Sequence, residues 1–171
     1  MKKILYVPHP ILRQKSLHLK SIEKEDLLLA EEMMDIMIRV PGVGLAANQI
    51  GVLKKIITVN IQNKEKKLDN KYVLFNPKII FSSKETIIME EGCLSIPEQF
   101  ADIERPKEII VEYTSDKKKL VKKRADGIEA RVLQHEIDHL LGKLFVDYLS
   151  SLKRNIIIRK VKKLIKSGEL Q

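Results

Sequence analysis

The sequence lacks the features that mark secreted and membrane proteins. One cysteine in 171 residues excludes an internal disulfide framework and fits a reducing compartment. No apolar run approaches the length needed to cross a membrane, and only four apolar residues separate Lys2-Lys3 from Pro8, too few for a signal peptide. Repeats and low-complexity tracts are also absent. We therefore expect residues 1–171 to form one globular, cytoplasmic domain that makes no membrane contact.

Positive charge is concentrated in one segment. The formal net charge is +9, from 32 basic and 23 acidic residues. Seven of the basic residues, and no acid, lie between Lys153 and Lys166, which leaves 25 basic and 23 acidic residues elsewhere. The body of the protein is therefore nearly neutral, and we expect no dedicated DNA-binding function.

The predicted helix around Gln134 to Leu140 contains the pattern H-E-x-x-H. Residues four apart lie about 40° apart around a helix axis, so His135 and His139 project from one face and can bind one metal ion together. Glu136 lies on the flank of that face, where it can contact a water on the metal without binding the metal itself. The spacing therefore predicts a metal site.

A catalytic site of this kind commonly has a third protein ligand. A metzincin would have histidine where this chain has Phe145, which cannot bind a metal. A thermolysin-like site needs a downstream glutamate, and only Glu169 is available. Asp147 is possible as a ligand, but it lies beyond the expected end of the helix at Gly142.

Cys93 is the remaining candidate, although a lone cysteine is more often an inert buried residue. Gly92 before it and Pro97 after it indicate a bent, restricted backbone that can hold a thiolate in place. A soft sulfur ligand beside two imidazoles suits zinc or ferrous iron. We therefore predict that Cys93, His135 and His139 bind one divalent metal ion.

The spacing of apolar residues predicts an α+β fold. Three helices are expected: one over 24–39 with Ser21 as its N-cap, the metal-binding helix opened by Asp126 with Glu129 as capping-box partner, and a last helix over 151–166 that ends near Gly168. Strands are expected over 56–61, 72–75, 86–89, 109–113 and 120–121, with a polar connection over 62–70. Short connections between strands favour antiparallel pairing.

The stretch 42–49 reads Gly-Val-Gly-Leu-Ala-Ala-Asn-Gln and matches the dinucleotide-binding pattern G-x-G-x-x-A in letters only. That pattern needs a strand before it and a long helix after it, whereas here a helix precedes and Gly51 follows almost at once. The two glycines permit close approach of the backbone to a ligand, and Gln49 offers an amide beside it. A plain turn is the alternative.

Three motifs together resemble the signature motifs of the peptide deformylase family. The motifs are the 42–49 stretch, Glu91-Gly92-Cys93-Leu94-Ser95 and His135-Glu136-Ile137-Asp138-His139. They occur in the same order as in the family. The resemblance extends from Pro8 and Leu12-Arg13 near the start to Gly142-Lys143-Leu144-Phe145 after the metal helix, so it covers nearly the whole chain.

This resemblance implies a metallohydrolase that removes the formyl group from the formyl-methionine of nascent polypeptides and releases formate. It implies one divalent ion, usually Fe²⁺ with Zn²⁺ as a substitute, and antiparallel strands packed around a central metal helix. On this basis Glu136 would accept a proton from the activated water as general base and then donate it to the leaving amine as general acid.

The resemblance also implies roles for residues that do not bind the metal. Gln49 and the backbone N–H of Leu94 would stabilise the developing oxyanion. Glu91, paired with Arg105, would support a metal ligand. Backbone groups of three residues would bind the peptide like an added strand: Val43, Gly44 and Gly92.

Some further residues concern the substrate. Val132 and Ile128 lie one and two helical turns before His135, so they are candidates for the pocket that takes the methionine side chain. Phe100 stands where many bacterial members have an arginine that contacts the substrate backbone, and we expect downstream peptide recognition to differ. His9 stands where aspartate is common, and we expect local structural consequences only.

Two other functions fit parts of the sequence. A cysteine hydrolase would use Cys93 as nucleophile and His135 as base, but His139 and Glu136 would have no role. An RNA- or ribosome-binding module would use the basic segment, and ribosome contact there is compatible with catalysis. Five apolar residues in that segment instead favour a helix docked on the protein's own body with its lysines in water: Ile156, Ile157, Val161, Leu164 and Ile165.

Overall fold

The computed structural model describes residues 2–63 and 68–170. Within these residues the α-helices are α1 (Lys24–Arg39), α2 (Gly127–Leu140) and α3 (Ser151–Ser167). The strands are β1 (Gly44–Ala46), β2 (Ile56–Asn63), β3 (Leu68–Ser82), β4 (Thr86–Cys93), β5 (Ile96–Pro106), β6 (Glu108–Thr114) and β7 (Leu120–Asp126). Short 3-10 turns lie at Pro10–Arg13, Ala47–Ile50 and Phe145–Tyr148. The predicted α+β fold is confirmed.

Five strands form an antiparallel sheet in the order β1-β2-β3-β6-β7. Successive side chains of a strand point to opposite faces, so alternate residues of β6 (Ile109, Val111 and Tyr113) face the core. These residues belong to one apolar cluster with Leu133 and Ile137 of α2. The sheet therefore covers one side of α2.

Strands β4 and β5 form a separate two-stranded antiparallel sheet. Glu91 pairs with Ala101 and Gly92 pairs with Phe100, and the register shifts between Gly92 and Cys93. An irregularity of this kind bends a strand and redirects the next side chain. The bend expected around Cys93 is therefore present, and it lies where the hairpin turns.

Strand β5 has 11 residues and was not predicted from the sequence. Its exposed residues are three acids and a phenylalanine: Glu98, Phe100, Asp102 and Glu104. Two prolines, Pro97 and Pro106, are the second and last residues of the strand. Acids and proline are depleted in strands, so the local pattern is weak. The strand forms because its backbone pairs along the whole of β4.

Helix α2 lies at the centre of the fold, and 10 of its 14 residues are buried. Helix α1 packs through Met33 and Met37 against a second apolar cluster that includes Leu45. Helix α3 packs through Ile157 and Val161 on a third cluster formed by the hairpin, the segment before α1 and residues 144–146 after α2. No helix in the described part of the chain is both long and apolar enough to span a membrane.

The predicted N-cap of α1 is wrong, and the predicted N-cap of α2 is right but lacks its expected capping-box partner. The N-cap of α1 is Glu23 and not Ser21, because the Asp26 carboxylate accepts a hydrogen bond from the Glu23 N–H at 2.9 Å. Asp126 does open α2, but Glu129 does not close a capping box. Its carboxylate instead accepts a hydrogen bond from the Tyr72 hydroxyl at 2.6 Å.

The other expectations hold in part. Gly142 and Gly168 have positive φ angles just beyond α2 and α3, as helix stops do. The polar connection expected over 62–70 is shorter, because β2 continues to Asn63 and β3 starts at Leu68; residues 64–67 lie outside the described residues. Of the five apolar residues expected to dock α3, Ile156 and Ile165 are exposed, since they lie off the buried face.

Candidate functional site

Helix α2 places three polar side chains in the protein interior. His139 is completely buried, Glu136 is 4% exposed and His135 is 8% exposed. Charged side chains are rarely buried to this extent unless they are paired or bind metals. The helical H-E-x-x-H spacing therefore directs its polar groups inward, toward β1 and the β4–β5 hairpin.

The Cys93 side chain meets the two histidines. Its Sγ lies 3.1 Å from His139 Nε2, and one donor atom from each of Cys93, His135 and His139 lies within 4.8 Å of the others. Ligand atoms of one tetrahedral zinc ion are about 3.4–3.6 Å apart, given bonds of about 2.0–2.3 Å. The three side chains predicted from the sequence are thus close enough together to hold one ion.

Two observations fit this donor set to a metal ion and a water. The second ring nitrogen of His135, Nδ1, is held by Glu91 Oε2 at 3.0 Å, which leaves Nε2 for a metal. Glu136 Oε2 is buried and has no hydrogen-bond partner within the described residues. An unpaired buried carboxylate oxygen is costly, so it indicates a polar partner such as a water at this point.

Glu91 is the centre of a buried polar network. Its carboxylate accepts hydrogen bonds from Arg105 Nε at 2.5 Å, Arg105 Nη2 at 3.0 Å and Arg131 Nη1 at 2.8 Å. Burial alone would raise the pKa of Glu91, but hydrogen bonds from His135 and Arg105 outweigh it and hold the pKa well below its ordinary value. The expected pairing of Glu91 with Arg105 is present.

Arg131 is a part of this network that the sequence analysis missed. Besides Glu91 it donates to the carbonyl oxygens of Ile103 at 2.8 Å and Ile87 at 2.7 Å. It therefore ties both strands of the hairpin to α2. A signal was present, because Arg131 precedes His135 by four residues and so lies on the same helix face.

The electrostatic surroundings differ between the two histidines. Burial alone would lower the pKa of His135, but hydrogen bonds to Cys93 and Glu91 raise it well above its ordinary value. For His139, burial and then the charge of His135 lower the pKa well below its ordinary value. Negative groups thus favour a positive charge at His135, which is the position proposed for a cation.

Burial, the largest influence, raises the pKa of Glu136 to about 7. A carboxyl group with a pKa near the working pH is suited to accept a proton and then return it. This pKa is compatible with the predicted role of Glu136 as general base and acid, which stays a prediction.

Gln49 is held in the site by a 3-10 turn. Its side-chain oxygen accepts a hydrogen bond from Ala46 N–H at 2.8 Å, which directs the amide nitrogen toward Ser95 Oγ at 3.2 Å and Cys93 Sγ at 3.6 Å. Gln49 is 1% exposed, and its amide nitrogen lies beside Cys93, one of the predicted metal ligands.

A cavity of about 570 Å³ opens onto these groups. All eight of the predicted substrate and catalytic residues line it: Val43, Gly44, Gln49, Gly92, Leu94, Ile128, Val132 and Glu136. Its size is typical of small-ligand pockets. Gly44 is needed here because a Cβ at this position would lie 2.5 Å from Glu136 Oε1 and 2.8 Å from Val132 Cγ1.

Comparison with known proteins identifies the family. A family model described as polypeptide deformylase matches residues 1–155. The peptide deformylase of Pelagibacter ubique is 48% identical over 172 residues, which cover 99% of this chain and 98% of that protein. That of Rhizobium meliloti is 44% identical over 167 residues, covering 98% and 95%. The chain belongs to the peptide deformylase family.

Solved structures agree with this assignment. A crystal structure of peptide deformylase from Ehrlichia chaffeensis superposes with a TM-score of 0.94 at 35% identity, covering 99% of each chain. A structure of peptide deformylase from the same organism in complex with actinonin gives a TM-score of 0.91 at 38% identity, covering 95% of this chain and 96% of that one. The predicted family and the assignment as a hydrolase are confirmed.

The two departures from the deformylase pattern differ in their position. His9 Nδ1 accepts a hydrogen bond from Ile11 N–H at 3.3 Å and caps the first 3-10 turn, which is a local structural role. Phe100 lines the cavity and is 63% exposed.

Leu170, which follows α3, also lines the cavity, and no sequence signal indicated it.

Proposed function

We propose that this protein removes the formyl group from the N-terminal formyl-methionine of nascent polypeptides in the cytoplasm, as a single catalytic domain. The observation that carries the proposal is the cluster of Cys93, His135 and His139 at the cavity, with Glu136 beside it. Deformylases are metal-dependent and act on nascent formyl-peptides, and the cluster has the donor atoms for one divalent ion.

We assign the three residues of this cluster as the metal ligands, and Fe²⁺ as the resident ion with Zn²⁺ as the substitute. When bound, the ion acts as a Lewis acid that lowers the pKa of a water and polarises the formyl carbonyl. The donor set of one sulfur and two imidazole nitrogens suits both ions. Glu91 fixes the orientation of His135 through Nδ1, and hydrogen bonds from His135 and Arg105 hold the pKa of Glu91 low, so that it stays ionised.

Glu136 moves the protons in this proposal. Its unpaired Oε2 accepts a proton from the attacking water and later donates it to the amine of the leaving peptide. The Gln49 amide N–H and the Leu94 backbone N–H stabilise the negative charge that develops on the formyl oxygen. A donor placed in this way contributes about 10²–10³ in rate.

The peptide would lie between two strand edges. β1 is an outer strand of the five-stranded sheet, and β4 pairs only with β5 within the described residues. Backbone groups of Val43 and Gly44 on one side and Gly92 on the other would bind it as an added strand. Ile128 and Val132 would then contact the methionine side chain, because both line the cavity next to Glu136.

The test is release of formate from a formyl-methionyl peptide, with metal analysis on protein prepared anaerobically. We expect about one ion per chain, and turnover that a chelator abolishes and added Fe²⁺ restores. The acetyl-methionyl peptide serves as the matched control. Turnover that survives complete removal of metal would support the cysteine hydrolase, with Cys93 as nucleophile and His135 as base.

We also propose that the exposed face of α3 contacts the ribosome. It carries most of the excess positive charge of the chain, which suits contact with RNA phosphates. Such contact would place the enzyme near emerging chains. Part of α3 is docked on the body through Ile157 and Val161, so charge-neutralising substitutions test this proposal better than truncation does.

A further inference from the structure

The C-terminal end of α2 is capped by groups from two other segments of the chain. The last carbonyl oxygens of an α-helix have no partner within the helix. Here the His139 carbonyl oxygen accepts a hydrogen bond from the side-chain amide Nδ2 of Asn48 at 2.6 Å. The next carbonyl oxygen, that of Leu140, accepts one from the backbone N–H of Ser16 at 2.8 Å. Consecutive carbonyl oxygens of a helix are neighbours, so these contacts bring Asn48 and Ser16 together beside His139.

Unpaired buried polar atoms are concentrated at this end of α2. Within residues 2–63 and 68–170, five buried side-chain polar atoms have no hydrogen-bond partner, and three of them are Ser16 Oγ, Asn48 Oδ1 and His139 Nδ1. Asn48 and His139 are completely buried, and Ser16 is 5% exposed. A buried polar atom without a partner costs free energy, and folded proteins contain few of them. Three such atoms at one helix end indicate a polar partner that they share.

The three atoms have complementary donor and acceptor roles. Asn48 directs its NH₂ group at a carbonyl oxygen, which can only accept, so its other polar atom, Oδ1, is an acceptor. His139 Nε2 lies 3.1 Å from Cys93 Sγ, on the side assigned to the ion, so Nδ1 carries the ring hydrogen and needs an acceptor. The Ser16 hydroxyl can donate or accept. A buried water molecule typically makes about three hydrogen bonds to groups of this kind.

We propose that one ordered water molecule binds at this end of α2, between Ser16 Oγ, Asn48 Oδ1 and His139 Nδ1. It accepts the ring hydrogen of His139 and donates its own two hydrogens to the other two atoms. The inference rests on the proposed function in one respect, the assignment of His139 as a metal ligand. The water then orients the ring of His139, as Glu91 orients that of His135. Ser16 and Asn48 are positioning residues that act through this water.

A high-resolution crystal structure of the Zn²⁺-loaded protein tests the site directly. We expect an ordered water within about 2.6–3.2 Å of all three atoms. The proposal is overturned if no water is bound there, or if His139 Nδ1 donates to some other group. This result does not depend on turnover.

Zn²⁺ affinity, measured by competition with a chromophoric chelator, tests whether the water acts on His139. Asn48→Ala should weaken Zn²⁺ binding about 10–100-fold and Ser16→Ala about 3–10-fold, because each removes a partner of the water. The double variant should be at most about twofold weaker than Asn48→Ala, since both residues act through one water molecule. Affinity losses that multiply in the double variant would overturn the proposal.

Asn60→Ala is the matched control. Asn60 Oδ1 is also buried and unpaired, but it lies on β2 next to Val59 of the core, so its side chain points to the opposite face of the sheet from α2. This variant should keep Zn²⁺ affinity within about twofold, whatever its effect on Tm.

Ser16→Ala keeps the backbone N–H that binds Leu140, so it decides the question even if Asn48→Ala does not fold. Unchanged Zn²⁺ affinity in Ser16→Ala overturns the proposal. Failure of the unsubstituted protein to bind Zn²⁺ at all would instead contradict the proposed function.

Discussion

Helices α2 and α3 are similar in length, but they differ in what surrounds their polar side chains. Ten of the 14 residues of α2 are buried, whereas two of the 17 residues of α3 are. Arg131, His135 and Glu136 of α2 lie in the interior, while the lysines of α3 lie in water. A buried polar group costs free energy unless it is paired. The polar groups of α2 therefore indicate chemistry, and those of α3 indicate at most a surface contact.

The largest expected effect is on turnover, from Glu136→Gln on α2. We expect kcat/KM to fall by about 10²–10⁴ because proton transfer loses its acid and base, while metal content stays near one ion per chain. Formate release and metal analysis on the same sample measure both. Glu129→Gln on the same helix is the control, and near-normal turnover in metal-loaded Glu136→Gln would rule out the proposed role.

Cys93→Ser tests the metal ligand that we assign to the β4–β5 hairpin. Changes to groups that merely contact ligands weaken metal binding 10–100-fold, so loss of a ligand sulfur should weaken it about 100-fold or more. Metal content after dialysis and activity should fall together. Stoichiometric metal with full activity in this variant would show that Cys93 is not a ligand.

Glu91→Gln removes the charge that pairs with the buried arginines around α2. Arg105 and Arg131 are 3% and 4% exposed, so we expect the free energy of unfolding to fall by about 3–5 kcal/mol in denaturant titrations. The control is Glu108→Gln, whose partner Arg124 is 73% exposed at the side chain; here the loss should be below about 1 kcal/mol. Equal losses in the two variants would contradict this account.

Two adjacent residues of α3, one buried and one exposed, test how this helix packs on the body of the protein. Ile157→Val removes one methylene from a buried side chain and should lower the free energy of unfolding by about 0.5–1.5 kcal/mol. Ile156→Val makes the same change at a position that is 42% exposed, and its effect should be within about 0.5 kcal/mol. A reversed order would mean that α3 docks through a different face.

The smallest effect on the enzyme itself is expected from the charges of α3. Lys160→Gln, Lys162→Gln and Lys163→Gln together should leave kcat/KM for a short formyl-peptide within about twofold, because these side chains are exposed. Co-sedimentation with ribosomes should decrease, and more strongly at low salt. Unchanged co-sedimentation across salt concentrations would contradict the proposed contact.

The sequence predicted what depends on local spacing. The histidine pair, the helix that carries it and the stops at Gly142 and Gly168 follow from periodicity and capping, and Cys93 followed from the bend around it. The sequence did not predict β5, Arg131 or Leu170. Those features depend on pairing or packing between residues far apart in the chain. The spacing of Arg131 and His135 places Arg131 on the metal face, but its partners are distant, as in its contact with the carbonyl oxygen of Ile87 at a separation of 44 residues.

The position of the single cysteine has a practical consequence. Because Cys93 is the one thiol in the chain and faces the proposed ion, a thiol-modifying reagent can react at one place only. The rate of modification would then report directly on how much of the protein carries its ion. Occupancy, exchange between Fe²⁺ and Zn²⁺, and loss of iron in air can each be followed on the unmodified wild-type chain, with no introduced label.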